Sequence, residues 1–391
     1  MISDPLAIAA LIAGITALAF WLDHRFDALS KVGASLIVII LGAVISNFGI
    51  VPHDSPVYRS IEGPVTSLAI VYLLLNVRLA DLKQAGPTML GLFVLGGLGT
   101  ALGAFTGALI FADGLGPITW KLSGVFTGTY TGGSLNFAAV GRGLDLPAST
   151  FAAASAADNV TTALWMGLIL MSPVLFSRNR PPRLDTGKAT VDSKLLGPDA
   201  QPGDSSAKDA HPFWSRIPIS LFDLVLLAAI GMAVLIAARL LGRSVGLFPE
   251  ILWLTTIALI LGQLPPIHRL SGASQLGNLG LHLFFAVIGI RSLFAAMIAV
   301  GASVFFYTLV VVGIHGIFLF GVGRALRGPV PMLAVVSQAA IGGPSTAMAV
   351  AVARGWPALV LPGIAVGLLG YALGNYAGFG VAYLVRAIIG G

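Results

Sequence analysis

Apolar runs long enough to cross a lipid bilayer take up most of this chain. Six lie between residues 5 and 176 and six lie between residues 219 and 385, and a helix needs about 17–25 such residues to span the hydrocarbon core. Because 57% of the residues are apolar and 10% are charged, a soluble domain is excluded. The sequence predicts an all-α polytopic membrane protein with about 10–13 transmembrane helices.

Two of these runs are interrupted by glycine pairs, at an offset of 210 residues (from position 133 to position 343). A helix broken in lipid leaves backbone N–H and C=O groups unpaired, which is tolerated only where they line a cavity or meet a ligand. Matching breaks in two halves of one chain are typical of the binding site of a secondary transporter. The predicted substrate-binding residues at the breaks are Thr131, Gly132, Gly133, Ser134, Gly342, Gly343, Ser345 and Thr346.

An alternative is that the glycine pairs only permit close helix packing. That interpretation suits Gly99, Gly103 and Gly107, which repeat at i+4 and predict a small-residue packing face. It suits the breaks less well, because packing does not call for hydroxyls and amides on both sides. Tyr371 and Asn375, on one face of the last run, are added as substrate-binding candidates, with a polar contact between helices as the alternative.

The two halves match in more than their glycines, which predicts a duplicated unit. Arg78 and Arg291 each close the third apolar run of their half. Inverted repeats need an odd number of crossings between equivalent points, whereas six crossings per half would make the repeats parallel. The loop charges at Arg25, Arg78 and Arg142 favour inversion, so we expect one run to fail to cross or one crossing to be missing. The predicted organisation is a first transmembrane repeat over 1–176, a polar linker over 177–213 and a second transmembrane repeat over 214–391.

The linker carries much of the excess positive charge. Basic loops between spans are retained in the cytoplasm, and a composition rich in Pro, Gly, Asp, Ser and Lys predicts disorder. We therefore expect a disordered cytoplasmic linker in a protein of the bacterial inner membrane, and the net charge of +6 does not indicate nucleic-acid binding. The basic residues of this stretch are Arg178, Arg180, Arg183, Lys188, Lys194 and Lys208.

Asp158 is the side chain that most needs an explanation. It lies inside an otherwise apolar helix, where an ionisable residue is costly and functional by default. Ser155, Asn159 and Thr162 share its helical face, and their oxygens suit Na⁺, or a carboxylate that carries a proton. The alternative is a structural aspartate bonded to a neighbouring helix. The predicted ion-binding residues are Asp158, Asn159, Ser155, Thr162, Asn136 and Gln338.

Motifs of enzymes are not found in the sequence. It has no Gly-rich phosphate loop with a lysine, no His-Glu-x-x-His and no defensible triad, so we expect a protein that is not an enzyme. The absence of cysteine excludes disulfides and thiolate metal sites. We expect no cofactor beyond Na⁺ or H⁺ as the coupling ion.

Two sequence motifs carry a resemblance to a known family. The run Thr-Gly-Gly-Ser-Leu-Asn-Phe-Ala-Ala-Val (131–140), followed by Ala-Ala-Asp-Asn-Val (156–160), resembles the YjcL-like family of uncharacterised bacterial and plastid membrane proteins, over most of the chain except the linker. That family is similar in fold to the cation:proton antiporter and anion transporter superfamily, which includes bile-acid:sodium symporters. The resemblance implies two inverted repeats, two broken helices crossing in a core domain, and a panel domain that also forms a homodimer.

The resemblance also implies which residues bind the coupling ion. Asp158-Asn159 is similar to the acidic or Asn-Asp pair of that superfamily, in the reverse of the commonest antiporter order, and Gln338 corresponds to a polar sodium ligand of the symporters. The run 298–322 contains no lysine or arginine, whereas electrogenic antiporters carry a basic partner there. This difference disfavours simple Na⁺/H⁺ exchange.

These observations lead to three hypotheses of function. The first is a Na⁺ (or H⁺) coupled symporter of a small organic, carboxylate-bearing solute, whose partners are that solute, the ion and the lipid bilayer but no nucleic acid. The second is a monovalent cation/proton antiporter that uses Asp158. The third is a membrane receptor or assembly factor that does not transport.

Overall fold

The protein is helical throughout the part that the computed structural model describes, which comprises residues 2–26, 29, 33–176, 218–245 and 248–389. The predicted linker, 177–213, lies entirely outside the described residues. A π turn, Ile61–Val65, joins the third helix to the fourth. The helices are α1 Pro5–Arg25, α2 Ala34–Asn47, α3 Pro56–Ser60, α4 Thr66–Leu74, α5 Gly86–Leu115, α6 Thr119–Gly132, α7 Ser134–Gly143, α8 Ala148–Phe176, α9 Leu221–Val245, α10 Glu250–Leu261, α11 Ala273–Ile290, α12 Phe294–Ala325, α13 Val330–Ala353 and α14 Val360–Ile389.

The outer surface of the bundle is apolar. By length and composition, seven helical segments of the described residues can cross a membrane, and α2 and α10 are shorter apolar helices. Large apolar side chains such as Leu6, Leu221 and Ile298 are more than three-quarters exposed, which in water would be costly but in lipid is not. The predicted fold class, an all-α polytopic membrane protein, is confirmed.

The first broken run is a helical hairpin that returns to the face from which it enters. A Cβ added at Gly128 would lie 3.0 Å from Cγ2 of Val140, and one added at Gly124 would lie 3.0 Å from Cδ1 of Leu144. In a straight helix residues 124 and 144 would be about 30 Å apart. α6 and α7 therefore pack side by side, with the turn at Gly133, and residues 119–143 are called hairpin 1.

The second broken run bends in the same way. A Cβ added at Gly363 of α14 would lie 2.7 Å from Cγ1 of Val335 and 3.5 Å from Cβ of Ala347. Val335 and Ala347 therefore both lie close to Gly363, although a straight helix would separate these two residues by about 18 Å. The non-helical backbone of Gly343 makes the turn inside α13. We call Val330–Ala353 hairpin 2.

Equivalent helices of the two halves run in opposite directions. α5 packs on α12 with Gly96 against His315 and Gly107 against Tyr307, so residue numbers rise along one helix as they fall along the other. Gly99 and Gly103 contact α12 as the predicted packing face. Within the described residues, five helical segments of each half pass from one face of the bundle to the other and one hairpin does not, which gives the odd number that inversion requires. The crossing segments are α1, α2, α3–α4, α5 and α8 in the first half and α9, α10, α11, α12 and α14 in the second.

The hairpins also decide which loops share a face. The first face is formed by loops 48–55, 144–147 and 291–293, which are joined by contacts such as Ser292 Oγ to the Ala148 carbonyl, at 3.0 Å. The second face is formed by loops 75–85 and 262–272, joined through the Leu79 N–H to Gln263. Arg25 and Arg78 belong to the second face, together with the end of α8 and the start of α9. The loop charges predicted that Arg142 lies on the same face as Arg25 and Arg78. That prediction is wrong, because hairpin 1 turns back and leaves Arg142 on the first face.

The described helices form two groups. α1–α4 pack with α9–α11 in what we call the panel, and α5–α8 pack with α12–α14 in what we call the core. The tightest core contact joins α6 to α14 through glycines on both sides, so the two backbones touch. The facing residues are Gly124, Gly128 and Gly132 of α6 and Gly370, Gly374 and Gly378 of α14. The repeat boundaries 1–176, 177–213 and 214–391 stay predictions.

Replacing Gly374 by valine is expected to destabilise the fold strongly. A Cβ at this position overlaps the Asn136 side chain and lies 2.8 Å from the Gly128 carbonyl oxygen, and overpacking of this kind costs about 1–3 kcal/mol or more. Gly380→Val, in the same helix, is the matched control because its Cβ meets nothing within 4 Å. Thermal unfolding in detergent measures the difference, and equal melting temperatures of the two variants would contradict the close contact.

Candidate functional site

The tips of the two hairpins meet inside the core. Gly133 has φ 89° and ψ −167°, and Gly343 has φ 82° and ψ −169°, a backbone region that is open essentially to glycine alone. A Cβ added at Gly133 would lie 3.5 Å from backbone atoms of Gly342 and Gly343. The predicted meeting of the two breaks is thus present, formed by two hairpin tips rather than by two straight broken helices that cross.

A serine lies near each tip glycine. Ser134 directly follows Gly133 and begins α7, whereas Ser345 follows Gly343 after Pro344, in the second arm of hairpin 2, and both serines are exposed. The N-terminus of a helix carries free N–H groups and a partial positive charge, which favour a carboxylate or another anion. Two such ends converge here from opposite faces, and the Tyr371 hydroxyl lies 3.5 Å from a Cβ added at Gly343.

Several polar groups around the tips are buried without a partner. In the described part of the chain, no hydrogen bond reaches the hydroxyls of Thr129 and Thr131, Oδ1 of Asn136 or either amide atom of Gln338. A buried polar group without a partner costs about 1–3 kcal/mol, so native proteins rarely leave several together. Five such atoms at one place indicate a site that binds a polar ligand or an ion.

Asp158 lies beside hairpin 1. The Thr162 hydroxyl donates to its Oδ1 at 3.2 Å, and the Tyr130 hydroxyl faces the carboxyl without making a hydrogen bond of good geometry. Tyr130 also faces Thr308 of α12, whose hydroxyl bonds Thr161 of α8 at 2.7 Å. A half-buried carboxylate, two hydroxyls and a tyrosine therefore meet at a junction of α6, α8 and α12.

The remaining predicted residues bond elsewhere. Asn159 donates to the Ser155 carbonyl of its own helix at 2.8 Å, and the Ser155 side chain is buried in α8. Asn375 donates to Thr255 of the panel, which agrees with the alternative of a helix contact. Thr346 donates to the Gln338 and Gly343 carbonyls and so closes hairpin 2 on itself.

His315 connects the two hairpins, a role that the sequence pattern did not reveal. Its Nδ1 lies 3.0 Å from the Gly96 carbonyl and 2.9 Å from the Thr100 hydroxyl, which donates to the Tyr130 carbonyl of hairpin 1. Its Nε2 lies 3.0 Å from the hydroxyl of Ser337 in hairpin 2. Because a carbonyl only accepts, Nδ1 carries the proton and Nε2 accepts from Ser337. The imidazole thus fixes the spacing between the hairpins.

Comparison with known proteins gives the chain a family. Residues 10–388 match the family described as "Protein of unknown function (DUF819)". The chain belongs to this family. It is 28% identical over 390 residues to the "Uncharacterized membrane protein YjcL" of Bacillus subtilis (strain 168), and the match covers 96% of this chain and 95% of the relative. The protein is therefore a multi-pass membrane protein of a family whose function is not established.

Alanine at either tip glycine is expected to impair ligand binding more than it impairs stability. Gly133→Ala and Gly343→Ala each force a side chain into a glycine-only conformation, at a cost of about 1–3 kcal/mol, and they also shift the tips. Gly116→Ala, with φ 60° and ψ −141° in a turn where its Cβ meets nothing within 4 Å, is a control with similar strain. Ion and solute protection in thermal unfolding measures binding, and equal losses in all three variants would show that the tips only pack.

Proposed function

We propose that the protein is a secondary active transporter in which Na⁺ (or H⁺) drives the symport of a small organic solute that carries a carboxylate. The observation that carries the proposal is the meeting of two oppositely directed hairpin tips among buried polar atoms without partners. Such tips supply N–H groups to an anion and carbonyls to a cation at the middle of the membrane, which is how inverted-repeat transporters bind their cargo. No enzymatic step is part of the proposal.

The proposal assigns the ion to the Asp158 side of the site and the solute to the tips. Asp158 supplies the negative charge, and hydroxyl, amide and carbonyl oxygens of the kind found at Thr162 and Gln338 are ligands that hard cations prefer. The N-termini at Ser134 and Ser345 are suited to the carboxylate of the solute. A bound cation nearby would favour the anion, and by linkage the anion would favour the cation.

The positive-inside rule orients the protein in the bacterial inner membrane. The linker carries six of the basic residues and connects the end of α8 to the start of α9, which both lie at the second face, so we assign the second face to the cytoplasm. Hairpin 1 then enters from the outside and hairpin 2 from the cytoplasm. A homodimer through the panel, as in the superfamily that the sequence resembles, is part of the same proposal.

A cation/proton antiporter is the second candidate, and Asp158 is the observation that favours it. A carboxylate that faces a tyrosine and a threonine hydroxyl could bind a monovalent cation and a proton in turn. In this case the hairpin tips would hold no solute. Residues 298–322 supply no lysine or arginine as the basic partner of an electrogenic exchanger, so symport is the leading proposal.

Purified protein in liposomes separates these functions. A thermal-unfolding screen of metabolites with and without Na⁺ first identifies a solute that stabilises the protein by mass action. Uptake of this solute that requires an inward Na⁺ or H⁺ gradient supports symport. Cation-driven proton movement without any solute, read by an internal pH dye, supports antiport instead. If neither occurs while a partner protein co-purifies, the chain is a receptor or assembly factor.

A further inference from the structure

A cavity separate from the hairpin tips lies on the first face, between the panel and the core. Its volume is about 730 Å³, within the range of about 300–1,000 Å³ that is usual for small-molecule sites. It is walled by the end of α7 and loop 144–147 on the core side and by the π turn, α10 and α11 on the panel side. Its charged lining residues are Arg59, Glu62, Arg142, Asp145, Glu250 and Arg291.

The charges of this cavity balance, but not all of them are paired. Arg142 and Asp145 have no oppositely charged group within 4.0 Å in the ranges described, and the other four charged residues of the lining do. One cation and one anion of the lining therefore make no direct ion pair, although Glu250 and Asp145 lie near enough to act on the charge of Arg142 and Lys121 Nζ donates to the Asp145 carbonyl at 2.8 Å. The ion pairs that involve lining residues are Arg291–Glu62 at 2.6 Å, Arg59–Asp54 at 3.5 Å and Arg239–Glu250 at 3.6 Å.

Arg142 has a weak partner that a solute can replace. Its Nη1 donates to the Ser67 hydroxyl at 2.6 Å, a neutral acceptor on the other side of the boundary between core and panel. A carboxylate accepts two parallel bonds from a guanidinium, and such charge-assisted bonds are about twice as strong as neutral ones. A carboxylate that enters the cavity would thus exchange a single bond for a bidentate ion pair.

The backbone around the cavity is irregular on both sides. The panel wall contains the π turn Ile61–Val65, a rare element that often marks functional sites, and it places Gly63 where an added Cβ meets nothing within 4 Å. On the core wall Asp145 has φ 50°, a left-handed conformation that few residues other than glycine and asparagine or aspartate adopt. Residues of both features, Glu62, Gly63 and Asp145, line the cavity.

We propose that this cavity is an entry site for a zwitterionic solute of the size of an amino acid or a short peptide. Arg142 binds the carboxylate, and Asp145 binds the cationic amine. The lining has as many carboxylates as guanidinium groups. A dianion would therefore find one unpaired guanidinium, that of Arg142, and would be repelled by the three carboxylates. The inference rests on the proposed function and deepens it, since it names the class of solute that reaches the hairpin tips from the first face.

Binding to purified full-length protein in detergent, measured by isothermal titration calorimetry, tests the proposal. The probes are L-phenylalanine, L-alanyl-L-alanine, 3-phenylpropionate (which lacks the amine) and 2-phenylethylamine (which lacks the carboxylate). At least one zwitterion should bind, and phenylalanine should bind about tenfold or more tightly than either singly charged analogue, which is about 1.4 kcal/mol. Equal affinities of the three phenyl compounds, or binding of neither zwitterion, would overturn the proposal.

Variants locate the binding in this cavity. Arg142→Gln should weaken zwitterion binding about tenfold, and Asp145→Asn should lower phenylalanine to the affinity of 3-phenylpropionate. Gly63→Trp should fill the cavity while every charged residue of the lining is kept, whereas Gly91→Trp, at another helical glycine with open space around its Cβ, should not affect binding. Unchanged affinity in Arg142→Gln and Gly63→Trp would place the zwitterion elsewhere and refute the assignment.

The outcomes separate this inference from the transport proposal. Asp158→Asn should retain zwitterion binding at the entry cavity while it loses ion-driven uptake, because Asp158 is inside the core and is not part of the cavity lining. Ion-driven uptake of another solute without any zwitterion binding would refute the entry site alone. Zwitterion binding without any flux in liposomes would refute the transport proposal and leave a ligand-binding cavity.

Discussion

Asp158→Asn is expected to abolish ion-driven transport while the protein still folds. The substitution keeps the shape of the side chain and an oxygen that can accept from Thr162, so the junction of α6, α8 and α12 keeps its packing. It removes the carboxylate beside Tyr130 and with it the charge that would attract a cation. Interactions with a charged group contribute about 1.5–3 kcal/mol, so ion affinity should fall about 10- to 100-fold.

The measurement combines stability with flux. Wild-type protein should unfold at a higher temperature when Na⁺ or the coupling proton is present, and Asp158→Asn should lose this response while its melting temperature without the ion stays within a few degrees. Asp113→Asn, at an exposed aspartate at the end of α5, is the control and should transport normally. Wild-type ion dependence and uptake in Asp158→Asn would exclude Asp158 as the ion carrier.

The hairpin tips could be predicted because the sequence encodes them locally. The φ and ψ of Gly133 and Gly343 are almost identical and are open to glycine but not to residues with a Cβ. Glycines 210 positions apart (133 and 343) in equivalent apolar runs therefore specify equivalent turns. Once both halves adopt the same fold with opposite orientation, the two turns lie close to the axis that relates the halves, and they meet.

The return of each hairpin could not be predicted from run length. A run of 25 apolar residues can form one crossing or two short helices that fold back, because composition and hydropathy are the same in both cases. The direction after Gly133 is decided by contacts of Gly124 and Gly128 with Leu144 and Val140, which bring together residues up to 20 positions apart. The sequence indicated the return of a run only indirectly: each half has six apolar runs, whereas inverted repeats need an odd number of crossings.

The roles of single polar residues were the least predictable part of the site. Asn159 lies on the predicted face but satisfies its amide on the carbonyl four residues earlier, a local alternative that is always available in a helix. His315 has the sequence context of any lone histidine in an apolar run. Its importance comes from Gly96, Thr100 and Ser337, which are distant in sequence, and no periodicity of α12 indicates them.

Cysteines at Ser134 and Ser345 are expected to change their reactivity with the transport cycle. The chain has no native cysteine, and both serines are exposed at the tips. Asn136, which is also near the first tip, is fully buried, and its side-chain amide donates to the Gly370 carbonyl at 2.8 Å, so Ser134 is the better labelling position. If the core moves against the panel, a membrane-impermeant maleimide should reach the tips from one face in one state and from the other face in the next.

The expected change in labelling rate is large, because a tip cysteine is accessible from a given face only in the state that opens the tips to that face. A shift of about 1.4 kcal/mol between the two states changes the labelling rate from a given face about tenfold. Saturating coupling ion should protect both cysteines, and a transported solute should protect them further because it occupies the helix N-termini. Ser60→Cys on the first face and Lys83→Cys on the second, both at exposed positions, should label from their own face at constant rates. If Ser134→Cys and Ser345→Cys behave like these controls, the hairpin tips do not form an alternating-access site, and the unpartnered groups around them need another ligand.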